Sequence, residues 1–269
     1  MSRTKSVLFW VLAFVLMALI ATYQRLTGPT YPVSSTVTFQ GEEINTKLPR
    51  SHDGSAKDLI KVKVTNQNII GYIKYRRYKS HDDWTIEQMR RDGNYLYGSL
   101  PEQPPAGKVM YQVYLIDLAG DNVQLTKEPV VLRFKGVVPP YILIPHIISM
   151  FLAMVFSMRA GIEALAKGNK TYVYSVWTMN LLIVGGLILG PLVQYFAFGA
   201  FWTGWPFGHD LTDNKTLLAF IGWLVAVIQL KKHPERRHWA IIASIVLLAV
   251  YLIPHSVLGS EIDYTKMPK

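Results

Sequence analysis

The stretch VLFWVLAFVLMALIA, Val7 to Ala21, lies in an uncharged run of 19 residues between Lys5 and Arg25. A helix needs about 20 apolar residues to cross the hydrocarbon core of a bilayer, so this run is the right length for one crossing. Charge is also missing from Gly136 to Met158, Thr171 to His209, Thr216 to Leu230 and His238 to Ser260. The 39-residue run, Thr171 to His209, is too long for one tilted helix. Its end, GAFWTGWPFGH, is rich in Gly, Pro and aromatic residues, which suits a re-entrant or surface loop after a single span. Spans are predicted near 6–23, 139–158, 172–197, 215–231 and 238–256. The whole chain, 269 residues with 50% hydrophobic and 17% charged, is too apolar for one soluble domain and too polar to lie wholly in lipid. Residues 25 to 135 carry the missing polarity.

The first span fits both a signal peptide and a retained anchor, since a basic start (Arg3, Lys5) precedes the apolar run in each. Cleavage is disfavoured because Leu19, not a small residue, stands two places before Ala21. Orientation follows from basic residues, which collect in short cytoplasmic loops. Arg3, Lys5, Arg159, Lys167, Lys170, Lys231, Lys232, Arg236 and Arg237 fall on one side, nine against the three (Lys215, Lys266, Lys269) on the other. This predicts a cytoplasmic N-terminus, with the 25–137 domain and the C-terminal tail on the outer side of the membrane. The domains read as 1–24 anchor, 25–137 β-domain, 138–258 four-helix bundle and 259–269 tail. Trp10, Tyr172, Trp177, Trp202, Trp205 and Trp239 are expected as interfacial anchors. The net charge of +10 is met by the insertion rule and calls for no nucleic acid. The absence of cysteine excludes disulfides, thiolate metal sites and a cysteine nucleophile.

Between Pro32 and Lys135, short runs alternate with period two and are separated by Gly, Pro, Asn and Asp. The clearest are Val33–Phe39, Leu59–Thr65, Ile69–Tyr78, Tyr95–Leu100, Val109–Asp117 and Val130–Phe134. In KVMYQVYLID, Val109, Tyr111, Val113 and Leu115 share one face, as a half-buried strand requires. Val62, Val64, Ile70, Tyr72 and Trp84 complete the expected core. The expected fold class is a five-helix transmembrane bundle plus an all-β immunoglobulin-like sandwich. The strand YIKYRRYK (Tyr72 to Lys79) makes a positive stripe, read either as an anion-binding face or as an edge strand kept soluble by charge. His52 and His81 have adjacent acids but no second nitrogen ligand at helical or hairpin spacing.

Chemistry, if the chain has any, concentrates near one membrane face. His146 (in LIPHI), His209 and His255 (in LIPHS) fall on one side under this topology. Two imidazoles suit bis-histidine haem b; three, with Asp210 nearby, suit a single metal. Ionisable groups in spans suggest function, while an interfacial histidine bonded to a carbonyl is the plainer reading. The segment FWTGWPFGHDLTDNKT (Phe201 to Thr216) could line a ligand site through Trp202, Trp205, His209, Asp210 and Asp213, or could serve as headgroup anchor and helix cap. The glycines of GGLILGP suit close helix contact; they are no dinucleotide motif, since no strand precedes them.

LPEQPPAGKVMYQVYLID is similar to fibronectin type III and related sandwich modules, which implies a fold and partner binding without chemistry. TGPTYPV, DDWTIEQMRRDGN, FWTGWPFGHDLTDNKT and IPHSVLGSEIDY together resemble a family of uncharacterised bacterial integral membrane proteins with an extracytoplasmic sandwich. That resemblance spans nearly the whole chain; it implies a bacterial inner membrane, with the sandwich domain and the C-terminus periplasmic, and implies no activity. The tail GSEIDY also resembles the Gly-Glu-Leu-x-Tyr ending of some small haem-type membrane families. Two functions stand side by side: a non-enzymatic subunit docking a membrane or periplasmic protein, and a haem or metal redox subunit.

Overall fold

The computed structural model describes residues 2–255, 257, 259 and 261–266. Lys269, counted above on the outer side, and Ser256, the expected end of the fifth span, lie outside the described residues. The chain forms two compact units, Met1–Pro29 with Val138–Gly259, and Thr30–Val137 with Ser260–Lys269.

The first unit is helical. Its elements are α1 (Arg3–Thr27), α2 (Pro140–Leu165), α3 (Thr171–Leu182), a π-helical stretch (Ile183–Leu189) running straight into α4 (Gly190–Phe198), α5 (Leu211–Lys232) and α6 (His238–Leu252). Four helices, α1, α2, the run 171–198 and α5, are long and apolar enough to cross a membrane; α6 is apolar but has 15 residues. Local chemistry sets their ends. Ser2 Oγ accepts the Lys5 N–H at the start of α1, Pro140 opens α2, and Gly199, at φ +80°, closes α4 in the left-handed region. Trp223, Met154, Leu182 and Leu247 sit in the core with small residues Ala153, Ala219 and Ala226, which let the helices approach. Val7, Phe14, Ile148, Val173, Ile188 and Ile245 remain exposed on the outside, the all-round apolarity of a helix in lipid.

α1, α2 and α5 outrun their expected spans, and α6 ends at Leu252, short of the span expected to reach 256. α2 continues past Met158 to Leu165, because Arg159 and Glu163, one helical turn apart, form a buried ion pair with Nη1 to Oε2 at 2.6 Å. α5 starts at Leu211, so Asp213 and Lys215 are also helical and buried. Arg159 and Lys215 are therefore buried helix residues, and neither belongs to a loop whose charge bears on orientation.

The second unit contains β1 (Val33–Phe39), β2 (Glu42–Leu48), β3 (Ser51–Asp53), β4 (Ile60–Lys63), β5 (Ile70–Arg77), β6 (Thr85–Gln88), β7 (Arg90–Asp92), β8 (Tyr95–Gly98), β9 (Lys108–Ile116), β10 (Asn122–Gln124) and β11 (Val130–Lys135). They form a β1-β2 pair, a β4-β8-β7 sheet, and a larger sheet in the order β3-β11-β9-β5-β6 with β10 beside β9. All pairings are antiparallel except β3 with β11. One apolar core draws on all three sheets, and Val109, Tyr111, Val113 and Leu115 of β9 are each 0% exposed. Each such aliphatic side chain contributes about 1.5–3 kcal/mol relative to exposure.

β5 corrects the expected core. Ile69, Gly71 and Ile73 point inward, while Ile70 and Tyr72 are half-buried on the other face. The inward glycine hid this phase: a Cβ on Gly71 would stand 2.8 Å from Met89 Sδ and 3.0 Å from Leu96 Cδ1. Gly71→Ala is thus expected to overpack the core and cost about 1–3 kcal/mol, read as a lower denaturant midpoint. Trp84 is not core either; it is half-buried under Lys74 Nζ, 5.0 Å from its ring centroid, and Arg76 Cζ, at 4.8 Å. Nor is β5 an edge strand, because β9 and β6 flank it.

Candidate functional site

At one end of the helical unit, polar groups from four segments gather. His146 is carried by α2, one residue after Pro145, and its Nδ1 lies 2.9 Å from the Gly185 carbonyl oxygen. A carbonyl only accepts, so Nδ1 carries a proton; when the ring is neutral its lone pair is then on Nε2. Gly185 is in the π-helical stretch, and its carbonyl also accepts the Gly190 N–H five residues on. Two features of the sequence support this wider turn. Pro191 has no N–H to offer an α-helical bond. The paired glycines also let neighbours in: a Cβ on Gly185 would stand 2.9 Å from Ser149 Cβ, and one on Gly186 2.7 Å from Thr216 Cγ2.

Lys215, on α5, is buried and donates from Nζ to the Ile253 carbonyl at 2.7 Å. A cation placed against the last carbonyls of α6 offsets both their missing partners and the negative end of the helix dipole. Gln24 on α1 adds a donor to the same end, reaching the Tyr251 and Ile253 carbonyls. His255, exposed just beyond α6, is within electrostatic reach of Lys215, His146 and Asp210. Lys215 and Gln24 escaped the sequence reading because each looks like a flank of a span; only the fold brings them to the α6 end.

The loop 201–210 is fastened onto α5. Asp210 caps that helix, its Oδ1 accepting the Thr212 N–H at 2.8 Å. Asp213 Oδ2 accepts the Thr203 N–H at 2.6 Å and the Gly204 N–H at 3.0 Å, Asn214 Oδ1 accepts the Trp205 N–H at 2.7 Å, and Gln194 of α4 donates to Thr203 Oγ1 at 2.6 Å. These bonds occupy Asp210 and Asp213 structurally. Trp202 donates its indole N–H to the Trp205 carbonyl at 3.1 Å, and the Trp205 and His209 side chains are exposed. Among the described residues no three His, Cys, Asp or Glu side chains are placed to hold a metal ion, so His146, His209, His255 and Asp210 do not converge as one ligand set.

Towards the other end of α2 lies a second buried polar group that the sequence reading had placed in a loop. Arg159, 0% exposed, has its Cζ 4.6 Å from the Tyr174 ring centroid, 5.4 Å from Phe9 and 5.5 Å from Trp10. Its Nε and Nη2 have no hydrogen-bond partner among the described residues. Glu163 accepts the Lys170 N–H at 3.2 Å just before α3, so the pair joins α2, α3 and the aromatic face of α1.

In the β unit, His52 of β3 donates through Nε2 to the Ser55 carbonyl at 2.6 Å, and His81 is exposed. The positive strand is largely spoken for within the unit: Arg77 binds Asp82 through two bonds of 2.6 and 2.7 Å, holding that carboxyl down at about 2. Lys79 and Lys108 both bind Glu261 of the tail. Burial raises the Glu261 pKa, but the hydrogen bonds from Lys108 and Lys79 outweigh it and hold the carboxyl below its ordinary value. The tail contact is therefore complete above the ordinary glutamate range, about 4.3, and is lost as pH falls through the lowered value. A nitroxide on Lys266→Cys is expected to gain mobility as pH falls below the ordinary glutamate range, before one on Glu43→Cys does. No protein-family model, curated protein or solved structure matches the chain.

Proposed function

We propose that the chain is a non-enzymatic subunit of a membrane complex. In this reading it crosses a bacterial inner membrane five times, with a cytoplasmic N-terminus and a periplasmic immunoglobulin-like sandwich, as in the resembling family. The tail supports the crossing number. It belongs to the β unit, so the chain between 137 and 260 returns to the side it left and needs an even number of crossings. α6, about 22 Å long at 1.5 Å per residue and so shorter than a full hydrocarbon core, is the remaining apolar helix and is taken as the fourth.

The observation that carries partner docking is the outward face of the two central strands. Tyr72 stands opposite Tyr114, Ile70 opposite Ile116, and Arg76 opposite Met110, all half-buried on strands paired on both sides. Tyr, Met and Arg are enriched at the centres of protein interfaces, where truncating an anchor costs 2 kcal/mol or more. Extracted gently from its native membrane, the chain is expected to migrate as a larger assembly. Tyr72→Ala/Tyr114→Ala is expected to migrate at its own mass with an unchanged thermal midpoint. A wild-type chain running alone, or a double variant that keeps the assembly, overturns the reading.

A second reading, haem b or a metal near His146 and His255, is favoured by one observation. His146 donates Nδ1–H to a carbonyl, the arrangement that orients ligating imidazoles and leaves Nε2 to bind. The visible spectrum and metal content of purified protein, with and without His146→Ala, test it: no Soret band and no bound metal remove it.

A further inference from the structure

The tail lies on the β unit in a site with the features of a receptor. The Ile262 N–H donates to the Ala106 carbonyl at 3.3 Å and the Thr265 N–H to the Lys79 carbonyl at 3.0 Å. Both acceptors belong to residues in the left-handed region, Ala106 at φ +70° and Lys79 at φ +51°. A non-glycine residue rarely adopts that conformation, and two of the five that do so in the described chain turn their carbonyls toward this one segment. The Glu261 carboxylate takes one bond on each oxygen, from Lys79 and from Lys108. The Tyr264 hydroxyl donates to Gln103 Oε1 at 2.8 Å, and Arg77 Cζ lies 4.6 Å from its ring centroid. Gly107 leaves room for that hydroxyl: a Cβ there would stand 2.8 Å from the Tyr264 oxygen. Asp263 Oδ1 accepts the Thr265 N–H at 3.1 Å, setting the turn that brings Glu261 and Tyr264 to their partners together.

We propose that this surface is a peptide-recognition site for an acidic–aromatic segment of the form Glu-x-x-Tyr, and that residues 261–266 of the chain are its resident ligand. The two carbonyls read the main chain, the paired ammonium groups select the carboxylate, and Arg77 with Gln103 selects the phenol. Because the tail is tethered, it competes with any free segment at an effective concentration of the order of millimolar. A segment of the same chemistry on another protein gains the site only by displacing it.

Fluorescence anisotropy with a labelled peptide matching residues 259–266 tests this on the full chain in detergent. Glu261→Ala/Tyr264→Ala disables the tail and leaves every residue of the site in place. This variant is expected to bind the peptide about 10–100-fold more tightly than the wild-type chain, whose tail is in the way. Adding Lys79→Glu and Lys108→Glu, or giving the peptide the same two alanines, is expected to abolish binding. If the charge-reversed chain does not fold, as judged by its thermal transition, Gln103→Ala in the tail-disabled background must still weaken binding. A tail-disabled chain that binds no more tightly than wild type, or that binds the altered peptide equally well, overturns the proposal.

Discussion

Glu163→Gln is expected to destabilise the helical unit by about 3–5 kcal/mol, because it keeps the shape of the side chain and leaves the Arg159 charge without its counterion in a fully buried position. The Tyr174, Phe9 and Trp10 rings around the guanidinium attract a cation, but they do not replace a carboxylate at 2.6 Å. The amide also loses part of the pull on the Lys170 N–H ahead of α3. Removing both charges is a different experiment. Arg159→Leu/Glu163→Leu is expected to lie within about 2 kcal/mol of wild type, since each ion carries a desolvation cost that disappears with it. Unfolding in a mild detergent titrated with a denaturing one reads both. Equal losses in the single and double variants would show that packing, not charge compensation, holds this corner.

Tyr111→Ala is expected to cost the β unit about 3–5 kcal/mol, as large aromatic truncations in cores do. Its ring is 0% exposed at the middle of β9, with neighbours from β5 and β11 on either side, so the space cannot be refilled without moving the sheet. Burial pushes its phenol well above the ordinary range, so the hydroxyl stays a neutral donor to the Pro49 carbonyl at 2.8 Å. Tyr111→Phe removes only that bond and is expected to cost about 1 kcal/mol. The denaturant midpoint of the β unit, followed by near-ultraviolet circular dichroism, separates the two. A phenylalanine variant as unstable as the alanine one would place the hydrogen bond, and not the filled volume, at the centre of this strand.

Helices and major strands were legible because they obey simple periodicities: unbroken apolar runs near one bilayer thickness, and alternation in β9 that matches its burial residue by residue. Legibility failed where one residue type stood in for another. Gly71 occupies a core position, so the apolar pattern of β5 read one step out of phase. β2 has Ile44, Thr46 and Leu48 inward among charged neighbours, and its run EEINTKL carries no apolar signal strong enough to mark a strand. Arg159 and Glu163 ended a span on paper because a charge count cannot see that the two neutralise each other across one turn. The polar cluster was half visible. His146 and Asp213 stood out as ionisable groups beside spans, whereas Lys215 and Gln24 acquire meaning only once α1, α5 and the end of α6 are packed. The tail site was wholly hidden, since Lys79, Ala106, Lys108 and Glu261 are remote in sequence and ordinary in type.

The central claim is that the β unit and the tail share one side of the membrane, with the α2–α3 and α5–α6 turns on the other. The chain has no cysteine, so single cysteines can be introduced without background. Glu43, Lys266, Asn169 and Glu235 are all exposed. With a membrane-impermeant maleimide on intact cells, the account expects Glu43→Cys and Lys266→Cys to label, and Asn169→Cys and Glu235→Cys to label only after permeabilisation. Labelling of Glu43→Cys without Lys266→Cys, or of Glu235→Cys together with Glu43→Cys, would contradict it.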